Sequence, residues 1–264
     1  MITSIYTKTL YQKRWMILAW TLGVTAMGAF TLAFFPSLKD SNLGSTFKDL
    51  PPALANLVGD NASFTTASGY ISEQLFGLRM PVMTIILAII LYTNLTATDE
   101  DRGTLAEQLT LPISRTRVLF EKFLAGATIL AIAHIGLLIG LLVTLGMIHE
   151  SVSVIKLVEA TFACWLISMV FGGITFGIGA GTGFKGLTVG IPSYLTFQTY
   201  LLTTLAISVE VLQKFEKLSP FYFYSHPKIM TSGLQLGNVI VLALIAIVPV
   251  LIGWAIFRRR DLKN

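Results

Sequence analysis

The chain has 264 residues, 54% of them hydrophobic and only 12% charged, with a formal charge of +5 and a mean hydropathy of +0.73. Soluble domains carry about 25% charged residues, and a core of this size cannot hide repeated apolar runs of about 20 residues. Composition therefore excludes a single soluble globular domain and requires an all-α polytopic membrane protein.

The opening MITSIYTKTLYQKRW is too polar, and too long before its first apolar run, for a signal peptide. That run, residues 15–35, is read as span 1. Residues 36–79 form a mixed connection with Pro51-Pro52 and with Leu54, Leu57, Ile71, Leu75 and Phe76 near helical spacing. They predict short amphipathic helices at the interface. Span 2, 81–97, begins at Pro81, a favourable first-turn position for proline. Spans 3 and 4 are 119–147 and 158–180, the latter crowded with Gly172, Gly173, Gly177 and Gly179 for close helix approach. Span 5, 187–207, contains Pro192. A polar and aromatic connection with Tyr222, Phe223 and Tyr224 reads as an interfacial anchor. Span 6, 239–257, contains Pro249 and stops at Arg258-Arg259-Arg260.

Six spans place Lys8, Lys13, Arg14, Arg102, Arg115, Arg117, Lys122, Lys185, Arg258, Arg259, Arg260 and Lys263 on one side. Lys39, Lys48, Arg79, Lys156, Lys214, Lys217 and Lys228 fall on the other. The bias predicts that both termini are cytoplasmic and that 36–79 is extracytoplasmic. The basic residues sit at span ends and make no continuous face for nucleic acid.

The cytoplasmic segment between spans 2 and 3, residues 98–118, is the most informative. Asp101 or Thr104 is placed to cap a short helix over 105–110, Leu105, Leu109 and Leu111 supply apolar contacts, and Pro112 ends it. Ser114 then caps span 3, with Arg115, Arg117 and Lys122 as anchors. A short helix held at the junction of two spans is a lever through which a soluble partner could move both; it is equally a plain connection.

The stretch EDRGTLAEQLTLPISRTRVLFEKF resembles the signature of the ABC-2 family of transporter membrane subunits, through Glu100, Gly103, Thr104, Leu105, Leu109, Leu111, Pro112, Ser114, Arg115 and Lys122. Leu218-Ser219-Pro220-Phe221 and the ending Phe257-Arg258-Arg259-Arg260-Asp261-Leu262 resemble that family as well. The resemblance implies a permease of an ATP-driven exporter, in the plasma membrane of a prokaryote. A homodimer of this chain would pair with two cytoplasmic ABC ATPase subunits that bind ATP and Mg, and membrane lipids would surround it. It implies that Glu100, Gly103, Thr104, Leu105, Glu107, Leu109, Pro112 and Arg115 couple the permease to the ATPase. The family often carries an acid directly after Gly-Thr-Leu, where this chain has Ala106 and then Glu107. That shift turns the carboxylate about 100° around the helix.

No GxxxxGK[ST] phosphate loop occurs, so ATP hydrolysis is not expected in this chain. No catalytic, cofactor or metal constellation has credible spacing either. His134, deep in span 3, is read as a neutral histidine bonded across helices, and Glu159 as reaching the interface. The competing readings are a non-transporting scaffold or sensor coupled to an ATPase, and an ATP-independent secondary transporter. The latter calls for buried acidic pairs that the spans do not offer.

Overall fold

A computed structural model describes residues 4–40, 66–110, 113–207 and 209–260. The helices are α1 (Ile5–Gln12), α2 (Arg14–Ala33), α3 (Phe35–Asp40), α4 (the run Ala67–Asp101), α5 (Thr104–Leu109), α6 (Arg115–Met147), α7 (Val154–Thr182), α8 (Lys185–Ala206), α9 (Glu210–Gln213), α10 (Pro220–Tyr224), α11 (His226–Ser232) and α12 (Leu236–Arg259).

Five of these are long and apolar enough to cross a membrane: Arg14–Lys39, Ala67–Asp101, Arg115–Met147, Val154–Thr182 and Leu236–Arg259. Six spans are expected from the sequence, and among the described residues five helices meet this criterion. The expected fifth span does form a helix, α8, of 22 residues. Thr188, Ser193, Thr196, Gln198, Thr199, Thr203 and Thr204 dilute its apolar character below that of the other five. The first two spans also lie differently from their expected limits. Residues 35–40 continue span 1 as α3, and 67–79 belong to α4, which starts well before Pro81. Pro51-Pro52, Leu54 and Leu57 lie outside the described residues.

The helices form a bundle around α4 and α7. In each of these, 61% of the most apolar stretch is buried, against 17% for α2 and α12. Small residues allow the closest approach: a Cβ on Gly173 or Gly177 would collide with the Ala246 or Pro249 carbonyl of α12. Four buried hydroxyls answer their own backbone, Thr84, Thr96, Ser168 and Thr175 donating to the carbonyls of Met80, Tyr92, Cys164 and Phe171. Such local bonds keep a polar side chain satisfied where water is scarce.

Contacts at the two ends set the direction of each helix. At one end Tyr6 meets Glu121, Lys122 meets Asp99, and Arg115 meets Arg260. At the other, Lys39 pairs with Glu150 and Tyr224 Oη–H donates to the Phe76 carbonyl. There too, the Leu234 N–H donates to Glu159. The long helices therefore alternate, and Ser4 and Arg260, the outermost described residues, lie at the same end. Tyr224, expected as part of an interfacial anchor, is instead 2% exposed and part of the core. His134 makes its close bond within its own helix, Nδ1 to the Leu130 carbonyl at 2.8 Å, with a weaker interaction across to the Cys164 backbone of α7.

Candidate functional site

The site is built where the central helix α4 ends. Two stretches of α4 are wound as π-helix, Ile71–Phe76 and Asn94–Thr98, and the second feeds directly into Asp99–Asp101. Single-turn π segments are frequent at functional positions because they re-aim the side chains that follow. Here the result is that Asp99 and Glu100 point into the bundle end, while Asp101 remains exposed.

Glu100 is 5% exposed although ionisable. A buried carboxylate needs a partner, and Arg260, just past α12, supplies one: Nη2 lies 2.5 Å from Glu100 Oε2. The same guanidinium donates from Nη1 to the Thr182 carbonyl at 3.1 Å, at the end of α7. Arg115, in the first turn of α6, donates to the Arg260 carbonyl at 2.8 Å and to the Phe257 carbonyl at 3.4 Å. Arg260 thus gathers the ends of α4, α7 and α6 to that of α12. Gly183 closes α7 at φ +65°, and a Cβ there would sit 2.6 Å from Glu100 Oε2 and 2.8 Å from Arg260 Nη1.

Beside this knot, Lys122 on α6 is 1% exposed and places Nζ 2.6 Å from Asp99 Oδ2. The chain then turns at Gly103, whose φ of +72° favours glycine, and whose Cβ position is open. Its N–H donates to the Glu100 carbonyl at 2.9 Å, and its own carbonyl accepts the Glu107 N–H at 3.1 Å. Thr104 does not cap α5 with its side chain as expected; its Oγ1–H donates back to the Asp99 carbonyl at 2.9 Å. Leu105 is buried at 2% exposure, which fixes α5 to the bundle, while Gly103 and Glu107 face outward. Ser114 does cap α6, its Oγ accepting the Arg117 N–H at 3.3 Å.

Of the residues singled out in the sequence, Glu100, Gly103, Thr104, Leu105 and Arg115 gather here, with Glu107 exposed on α5. Leu109 belongs to α5, its side chain undescribed, and Leu111 and Pro112 lie outside the described residues. Sequence reasoning missed the partnerships of Arg260 with Glu100 and of Lys122 with Asp99. Both cations read as membrane-boundary anchors. The signal that could have found them is the Asp99-Glu100-Asp101 run at a span end, since acids at that depth demand nearby cations.

No cluster of His, Cys, Asp or Glu suited to a metal ion occurs among the described residues. What the site offers is mechanical: an exposed turn and short helix, joined through buried ion pairs to the ends of four long helices. Residues 9–258 match the family model described as "Multidrug efflux system permease Rv1217c, C-terminal domain", and the chain belongs to that family. No curated protein matches it.

Proposed function

We propose that this member of the efflux-permease family is the membrane subunit of an ATP-driven exporter, and that a separate cytoplasmic ABC ATPase drives it through residues 98–118. The observation that carries this reading is the Glu100–Arg260–Arg115 knot beside the exposed Gly103 and Glu107. A push on α5 passes through Leu105 and Glu100 to four helix ends at once, which is what a rigid coupling lever requires.

In this reading α8 is a sixth span, and both termini are cytoplasmic. Its 22 residues extend about 33 Å at 1.5 Å per residue, enough to cross the hydrocarbon layer. Its exposed Ser193 and Gln198 disfavour lipid contact and suit a wet path or a second copy of the chain. Two permeases and two ATPases form the working complex, and cargo leaves through the interface between the permeases. The family's description speaks of multidrug efflux, and we extend to this chain a cargo of amphiphilic compounds.

Affinity capture of the tagged chain from its native membranes in mild detergent tests the reading. The expected product is a two-to-two complex with an ABC ATPase, lost when Gly103, Thr104 and Leu105 are replaced in a chain that remains monodisperse. Capture of the intact chain alone, across several detergents, would overturn it.

A further inference from the structure

The N-terminal helix is not used by the coupling site, yet Lys8, and Lys13 and Arg14 just after it, lack a carboxylate partner among the described residues. One face of α1 is committed: Ile5 and Thr9 are buried, the Tyr6 N–H donates to Glu121 Oε2 at 3.1 Å, and the Tyr6 hydroxyl donates to Thr128 Oγ1 at 3.2 Å. This fixes α1 along the start of α6.

The opposite face presents Lys8, Tyr11, Arg14 and Trp15, with Tyr11 59% and Trp15 71% exposed. Arg14 lies 4.2 Å from the Tyr11 ring centroid and 5.9 Å from that of Trp15, so the cation is held over aromatic faces at the point where α2 begins. Lys13 adjoins it, and Lys8 and Lys13 lie near enough to Lys122 to act on its charge. The nearby carboxylates are already engaged, Glu121 by Arg117 at 2.7 Å and Asp99 by Lys122 at 2.6 Å. Among the described residues none of Lys8, Lys13 and Arg14 has a carboxylate partner.

We propose that α1 and the start of α2 form a docking site for the acidic headgroups of phospholipids. Exposed tryptophan and tyrosine beside basic residues, at the first turn of a membrane span, occupy the depth at which lipid phosphates lie. Unpaired lysines there complement the phosphate, and the rings rest at the acyl boundary. A soluble acidic protein would match the charge but leave Trp15 without an apolar environment. The lipid clamps α1 against α6, whose first turn carries Arg115, and so steadies the base of the coupling site. The binding step itself requires no ATPase and no cargo.

The test uses the full chain alone in nanodiscs of phosphatidylcholine, with or without phosphatidylglycerol, reading retained lipid by native mass spectrometry and stability by thermal unfolding. A Lys8→Gln/Lys13→Gln/Arg14→Gln variant should retain phosphatidylglycerol at about tenfold lower occupancy and lose the stabilisation that this lipid gives. It should match the unmodified chain in phosphatidylcholine. A Lys185→Gln/Arg258→Gln/Arg259→Gln variant, with the same charge removed from the same end, should keep both. Equal losses in the two variants would reduce the effect to diffuse attraction and overturn the site. So would indifference of the unmodified chain to phosphatidylglycerol, or unchanged phosphatidylglycerol retention by the Lys8→Gln/Lys13→Gln/Arg14→Gln variant. Because no ATPase is present, failure here leaves the coupling reading intact, and failure of ATPase capture leaves this site intact.

Discussion

Arg260 and Glu100, 160 positions apart in the chain, form a 2.5 Å ion pair that joins the end of the last long helix to the end of the central one. Their side chains are 19% and 2% exposed. Removing one partner strands the other in a poorly hydrated site. Arg260→Ala should cost about 3 kcal/mol of stability, and Glu100→Gln, which leaves a neutral hydrogen-bonding group, about 1–2 kcal/mol. The double variant should be better than the sum of the two. Thermal unfolding of the four proteins in one detergent measures this; strict additivity would show that the pair contributes nothing beyond its members.

Lys122 and Asp99 make a second pair of different character, because here the cation is the deeper member at 1% exposure. Asp99→Asn should therefore harm the protein more than Lys122→Met. The first leaves a buried ammonium without its counter-charge, whereas the second replaces it with an apolar chain of similar length. The expected gap is about 2 kcal/mol, read from unfolding midpoints. The reverse order would mean that Lys122 reaches water and that its pairing is incidental.

Gly103 and Gly183 share a positive φ, at +72° and +65°, but not their surroundings. Alanine at either should cost about 1–2 kcal/mol from backbone conformation alone. At Gly103 nothing lies within 4 Å of the new Cβ, whereas at Gly183 it would press on the Glu100 carboxylate and the Arg260 guanidinium. Gly183→Ala should therefore be the more destabilising, and Arg260→Ala should partly relieve it. Gly103→Ala should cost no more than that backbone contribution of about 1–2 kcal/mol while lowering ATPase activity in the complex. Equal unfolding midpoints for the two glycine variants would contradict the crowding at Gly183.

The apolar runs made five spans legible. Periodicity could not reveal that 67–79 joins the second span, because π-winding displaces side chains from ordinary helical register. Nor could hydropathy rank α8, whose threonines return their hydroxyl bonds to their own helix, Thr196 to Pro192 and Thr199 to Leu195 among them. For the candidate site, the motif located Glu100, Gly103, Leu105 and Arg115. Their meaning as a knot depended on Arg260 arriving from the far end of the chain. Pairing across such separation is set by tertiary packing, and no local pattern in either segment specifies the other.

Tyr92 gives the last prediction, on the packing that holds α4, α6 and α7 together. Its ring is fully buried between two glycines: a Cβ on Gly126 of α6 or on Gly172 of α7 would strike it from opposite ring edges. Phe123 and Phe176 stand 5.4 and 5.6 Å from the ring centroid, and the hydroxyl donates to the Phe123 carbonyl at 3.1 Å. Gly126→Ala and Gly172→Ala should each cost about 1–3 kcal/mol through overpacking, and both at once should be close to intolerable. Tyr92→Phe keeps the ring and loses one buried hydrogen bond, so it should cost only about 1 kcal/mol. Tyr92→Ala should cost less in the background of Gly126→Ala than on its own, because the added methyl enters part of the space the ring vacates. Unfolding midpoints of this series distinguish a clamp from a passive void. If Gly126→Ala were harmless in the presence of Tyr92, the close approach of α6 to α4 would not hold in the membrane.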